Sequence, residues 1–507
     1  GMGDRSSTAG PLVMNTNAFR GQSSVATLSA PPQFTLPNIL GLPMAAHHGI
    51  HIQNSDPQIF QFEGRTVRTP QVDWIDLGSG GDMGILRRTD LRLRPGAAFV
   101  AGPLFVQGFD IFGGGGGGFQ FHENPQSPTV IENAGLFLEV DFTHGDLALD
   151  DKELLFDTGA DLTVLSQLTA KRLGFDAVLD RPDCILEVEG SGGVAGQVPG
   201  IIIDELNIDT VGGSFTLQNV PVAVLDVTNP NDPGNTINGI IGMNLFNGRD
   251  LVIDANPSIG VGGAGPSLYI SDPVTEAHAW NTTAATGTWG NAANWTGSGA
   301  PDALWVASAE NISGSDQQAV VSSDSTIFKA VVSGQGGGMT VVVENGVTLT
   351  TFGETRIDHG GEVRLEDGSL DAQFINLNGG TLSGTGQVVV LAGPLTGVVR
   401  NLSGRIEPGA PVGTLEIAGD MSLVGGALAF DLLGTTPGTL HDHISVDRFA
   451  FLAGALEVEL GDSFTPNVGD AFEILSAGDE VMGKFDFVLL PDGFLWDVDY
   501  LTDRVVL

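Results

Sequence analysis

The 507-residue chain is short of cysteine, of basic residues and of long apolar runs. Its one cysteine, Cys184, rules out an internal disulfide framework and a thiolate zinc cage, and beside a strand-like run a lone thiol reads as core. Lys and Arg number 21 against 61 Asp and Glu, a formal net charge of -40. That balance repels phosphate backbones and anionic membrane surfaces, so nucleic acid is excluded as a partner. No stretch reaches the ~18 to 20 apolar residues of a membrane span. No basic segment followed by an apolar one opens the chain, and because its first residue is Gly1 the start is expected to be processed, engineered or truncated, with a lost export signal and a cytosolic origin both open.

What is present points to β structure. Apolar residues make up 41% and suffice for real cores, charged residues only 16%, and the 73 glycines are about twice ordinary usage. At about 150 residues per domain the length suggests roughly three units. The run Gly113 to Gly118 reads as a linker, without the Lys and Ser/Thr of a phosphate loop. After it, 135–141 and 153–156 read as strands. Ser166 to Leu173 reads as a helix with Leu165, Leu168, Ala170 and Leu173 on one face and Gly174 as its stop. From about Ala277 onward, short alternating segments separated by Gly, Asn and Asp turns favour stacked β coils, a solenoid or a sandwich. Trp280, Trp289 and Trp295 supply aromatic area expected to cap those coils.

The strongest chemical signal is an apolar strand that delivers one carboxylate into a turn: Leu154-Leu155-Phe156-Asp157-Thr158-Gly159-Ala160-Asp161. Gly159 permits close backbone approach, and the Thr158 hydroxyl can hydrogen-bond to main chain. About 80 residues later comes a second element, Gly239-Ile240-Ile241-Gly242-Met243-Asn244. Together the two resemble the paired signature of aspartic proteases, retropepsin-like in wording. The resemblance implies an acid-protease β-barrel lobe in which Asp157 is the catalytic acid and base. It makes Thr158 the hydroxyl that locks two loops together and Gly159 part of the floor. Ala160 and Asp161 would lie against the substrate, and Ile240, Ile241 and Gly242 would support the active loop. Gly190, Ser191, Gly192 and Gly193 lie where such proteases carry a flap.

The implied chemistry needs two carboxylates, and the chain contains a single Asp-Thr-Gly. Asp76-Leu77-Gly78 lacks the hydroxyl. The phrase Asn38-Ile39-Leu40-Gly41-Leu42-Pro43, followed by Ile50-His51-Ile52, parallels 238–244 and looks like the end of a first lobe whose own Asp-Thr-Gly lies before residue 1. Three readings stay open: a two-lobed enzyme with its second Asp upstream, a single lobe that dimerises, and an inactive lobe used for binding or adhesion.

The phrases 289–295, 404–415 and 440–446 resemble autotransporter-associated β-repeat regions of exported bacterial surface proteins, which implies an extracellular or cell-surface location. The expectation is therefore a mostly β chain divided as follows: 1–125, the remnant of a first lobe and a linker; 126–272, the protease lobe; 277–400, a repeat region; 401–507, a C-terminal β domain. The expected partner is a peptide or protein substrate, completed by the missing lobe half or a second subunit. No metal or cofactor is called for. His47, His48, His51, His441 and His443 are expected in exposed turns, because no carboxylate or thiolate stands at ligand spacing.

Overall fold

The computed structural model describes residues 49–62, 65–76, 85, 87–95, 134–190, 193–229, 232–254, 266–273, 277–281, 284–297, 299–392, 395–409, 412–461 and 463–507, with short strand pieces before residue 40, at 104–106 and at 121–123. The glycine run 113–118, residues 40–43, Leu77, Gly78, His47, His48, Ser191 and Gly192 lie outside the described residues. The protein is mostly β, and it divides into two compact units, 1–176 with 189–196 and 202–274, and 177–188 with 197–201 and 275–507.

In the first unit the strands are β1 (Gly49–Phe62), β2 (Arg65–Ile75), β3 (Arg87–Pro95), β4 (Ala134–His144), β5 (Leu147–Phe156) and β6 (Thr163–Leu165). After helix α1 (Gln167–Arg172) come β7 (Cys184–Gly190) and β8 (Gly193–Ile208), of which 184–188 and 197–201 count with the second unit, then β9 (Phe215–Val224), β10 (Gly239–Ile241), β11 (Arg249–Asp254) and β12 (Ser267–Pro273). Their order is β7-β8-β9-β6-β10-β5-β4-β3-β12-β11-β1-β2. A further pairing of β4 with β8, Phe142 opposite Leu206, closes β8, β9, β6, β10, β5 and β4 into a barrel. Alternation puts Leu138, Val140 and Phe142 of β4 and Leu154 and Phe156 of β5 inside, with the Phe246 ring stacked 6.0 Å from Phe215 and edge-on to Phe156.

Helix α1 is shorter than the sequence suggests. Ser166 caps it by accepting from the Thr169 N–H, and Gly174, at φ +91, ends it. In so short a helix Leu165, Ala170 and Leu173 reach the core while Leu168 is 59% exposed, so Leu168 does not share the buried face. Cys184 is buried in β7, and burial pushes its thiol well up.

In the second unit each turn of the chain adds one strand to each of three parallel ladders. One ladder runs through Val306–Asn311, Lys329–Gly334, Thr348–Asp358, Gly361–Asn378, Val398–Asn401, Asp420–Leu423, Phe449–Leu452 and Glu480–Gly483. Inward positions such as Ala330, Ile357, Ile375, Val399 and Met421 carry the core, which is continuous from Trp280 to Leu507. The ladder passes through 398–401 without interruption, so 277–400 and 401–507, distinguished by strand length in the sequence, share one stack. Trp280, Trp289 and Trp295 are buried in that core, with the Trp295 indole N–H donating to the Trp289 carbonyl at 2.7 Å.

Three histidine assignments are corrected. His51 is 7% exposed within β1, where cross-strand pairing and not a turn claims it, and burial lowers its pKa against the pull of Asp250 and Asp73. His441 is fully buried, its ring nitrogens 3.1 and 3.0 Å from the carbonyls of Gly434 and Glu473. His443 is half-buried at the start of the strand His443–Val446, where ladder pairing and not a turn holds it, and burial lowers its pKa against the pull of Glu473. Among the described residues no group of three His, Cys, Asp or Glu side chains is placed to hold a metal ion, and no helix is long and apolar enough to cross a membrane.

Candidate active site

The Asp157 loop joins two strands that are not neighbours. β5 leads into it and β6 leaves it, and β10 is threaded between them, parallel to β5 and antiparallel to β6. Ile240 lies opposite both Leu155 and Val164, and Ile241 lies opposite Phe156. The two motifs, distant in the chain, therefore form one layer. The Asp157 N–H donates to the Ile241 carbonyl at 3.1 Å, Met243 N–H to Ala160 at 2.8 Å and Asn244 N–H to Asp161 at 3.2 Å.

Gly242 is where the two segments press together. A Cβ on it would stand 2.4 Å from the Leu162 carbonyl carbon and 2.5 Å from its oxygen, closer than side chains are ever found. The contact is locked by side chains that the sequence reading passed over. Asn244 Oδ1 accepts from both the N–H and the hydroxyl of Thr163, each at 2.9 Å, and the Gly242 N–H donates to that same hydroxyl at 3.2 Å. The Asn238 carbonyl accepts from Ser166 N–H and from the Thr169 hydroxyl, tying α1 to the start of β10. A polar residue on each side of an apolar-apolar-Gly triplet is the signal that could have marked Asn238 and Asn244.

On this base Asp157 is half-buried, and Thr158 and Gly159 beyond it are exposed. The Gly159 N–H donates to Asp157 Oδ1 at 2.9 Å, and Ala160 N–H to the Asp157 carbonyl at 3.2 Å, so one carboxylate oxygen is held inside the turn. Asp161 is exposed as a residue, while loss of water around its carboxyl raises its pKa. Ile240 is half-buried, and Ile241 and Gly242 are buried. Gly190 ends β7 and Gly193 opens β8, hydrogen-bonded neighbours in the sheet; the intervening Ser191 and Gly192 lie outside the described residues.

Residues 140–245 match the aspartyl protease family model. The matched stretch starts in β4, takes in the Asp157 loop and ends just beyond Gly242, so it covers the layer built above and supports an aspartic protease domain there. No curated protein matches the chain.

The protease-like domain also carries a symmetry. The shift along the chain that brings Gly41 onto Gly242 brings Ile50 onto Leu251, His51 onto Val252 and Ile52 onto Ile253. In the structure β1 and β11 pair antiparallel, with Ile50 opposite Ile253, His51 opposite Val252 and Ile52 opposite Leu251. His51 thus faces its own counterpart, and Ile50 and Ile52 each face the counterpart of the other, so the pair has a local two-fold axis centred at His51 and Val252. β2 then flanks β1 as β12 flanks β11.

Proposed function

We propose that Asp157 is one member of a carboxylate pair with which an aspartic endopeptidase hydrolyses peptide bonds, the other member lying on residues that precede Gly1 or on a second copy of the chain. The observation that carries this reading is the Asp157 carboxylate itself, raised on a loop braced from below by Ile240 to Gly242 with its outer face open. Two carboxylates about 3 Å apart cannot both ionise and share one proton. The ionised member then takes a proton from water as it attacks the peptide carbonyl, and the protonated member donates to the carbonyl oxygen. No covalent intermediate forms. The Thr158 hydroxyl, at the exposed tip, would bond to the partner loop and fix the spacing, and 190–193 would close over the bound peptide.

The two-fold in the β1–β11 pair supports the upstream source. A symmetric copy of β5 and its Asp loop would precede the phrase 38–43 by the chain distance that separates Asp157 from Gly242. The single Asp-Thr-Gly of the chain favours the alternative, an inactive protease-like module used for binding or adhesion. The same proposal places the protein outside the cell or at its surface, on the resemblance of the coil region to exported repeat proteins.

Cleavage of an unfolded protein at acidic pH tests this reading. The chain extended by its native upstream residues is expected to cleave, and Asp157→Asn to abolish cleavage with the fold retained. Cleavage by the present chain alone, rising with the square of its concentration, would assign the second Asp to a partner copy. Folded but inert protein in both forms would overturn the protease reading and leave the inactive module.

A further inference from the structure

The coil unit has an open cleft of about 580 Å3 that the protease reading does not use. It lies across four successive coils, where one ladder gives way to the next. Thr348, Ser369, Gln387 and Glu416 stand opposite one another in adjacent parallel strands and form a single row. The neighbouring row, Leu349, Leu370, Val388 and Ile417, is buried, so the polar row faces the cleft. Adjacent members are separated by the strand spacing of about 4.8 Å.

Beside this row the floor is bare backbone. Gly368 and Gly386 pair across two coils, and a Cβ on Gly386 would stand 2.3 Å from the Gly368 oxygen. The close stacking therefore forbids side chains there, and none projects from this floor into the cleft. Thr385 and Thr414 add hydroxyls at the rim.

The lining chemistry selects the ligand. Its charged groups are the carboxylates Asp367 and Glu416, with no Lys or Arg, in a chain of net charge -40. Phosphate, sulfate and uronate polymers are repelled. Apolar side chains come only from Val347 and Val412, too little for a lipid or an apolar peptide anchor. What remains is a row of hydroxyl, amide and carboxylate groups able both to donate and to accept, the pattern that vicinal hydroxyls satisfy. An extended peptide advances about 3.3 Å per residue and falls out of step with a 4.8 Å row. A pyranose ring in an extended chain advances by nearly the row spacing.

We propose that this cleft binds a neutral polysaccharide, one sugar per coil, with Gln387 and Glu416 as its principal contacts. Affinity electrophoresis of the full chain through gels holding hydroxyethylcellulose, galactomannan, dextran or polygalacturonate tests it. Retardation is expected in at least one neutral polymer and not in polygalacturonate. The Gln387→Ala/Glu416→Ala double variant and the cleft-filling Ser369→Arg, both at outward positions, should weaken retardation at least tenfold with unchanged circular dichroism. Asp157→Asn should bind as the parent does, which separates this site from the protease reading. Free migration in all three neutral polymers, equal retardation of the variants, or capture of a neutral unfolded peptide in place of the glycans would overturn the proposal.

Discussion

In the barrel unit the Asp157 carboxylate stands half-buried on a loop tied down by main-chain hydrogen bonds, whereas in the coil unit the carboxylates of Asp420 and Asp442 are sunk in the interior. Asp442 accepts from the N–H groups of Gly413 and Asp431, at 2.9 and 2.8 Å, and clamps three chain segments. Asp420 accepts from the N–H of Phe449 at 3.4 Å, with the Arg448 guanidinium 3.7 Å away. Burial outweighs these partners and raises the Asp442 pKa to about 7 and that of Asp420 to about 6. The carboxylate proposed for chemistry is kept at the surface and braced from behind. A carboxylate used to hold coils together is desolvated, and the coils inherit its titration.

The largest effect that sharpens this contrast is pH-dependent stability. For both groups the folded-state pKa lies above the unfolded value of 3.8, so their contribution is fully present below 3.8 and is lost as pH rises through about 6 for Asp420 and about 7 for Asp442. The shifts correspond to losses on the order of 3 and 4 kcal/mol. Calorimetry from pH 4 to pH 8 should show the coil unit losing stability, with a shallower slope in Asp442→Asn. A coil transition that strengthens towards pH 8 would break the comparison.

The next effect lies in the barrel. Gly242→Ala forces a methyl into the Leu162 backbone, and it should cost roughly 3 kcal/mol or more. Hydrogen exchange in β5, β6 and β10 would report it, with the coil strands unchanged. Smaller still, Ser166→Ala removes the cap of α1 and should cost about 1 kcal/mol. Faster exchange of the Thr169 and Leu173 amides, with β10 protected, is the expected reading.

Different parts of this architecture were legible for different reasons. The Asp157 turn and the apolar-apolar-Gly element are local patterns, and the structure puts them in one layer. Their mutual arrangement was hidden, because threading β10 between β5 and β6 is a matter of which backbone groups find each other across some 80 residues, and no periodicity records it. The polar residues flanking the triplet could mark Asn244, but its pairing with Thr163 was hidden for the same reason. Leu168 misled because a six-residue helix has too few turns to use a helical stripe. His51 and His441 misled because the lack of ligand-spaced partners says nothing about burial: a cross-strand partner buries one, and two carbonyl oxygens surround the other. The coils were legible as frequent turns and alternation, but the division into three ladders was not. That division depends on which strand lies one coil away.

The claim that the Asp157 loop is half of a two-fold site is tested most directly by a crystal structure of the chain carrying its native upstream residues. The account predicts a second carboxylate about 3 Å from that of Asp157, related to it by the axis between β1 and β11. An Asp157 carboxylate facing open solvent, or packed against a segment with no acid, in a protein whose β1–β11 pairing is intact, would contradict it.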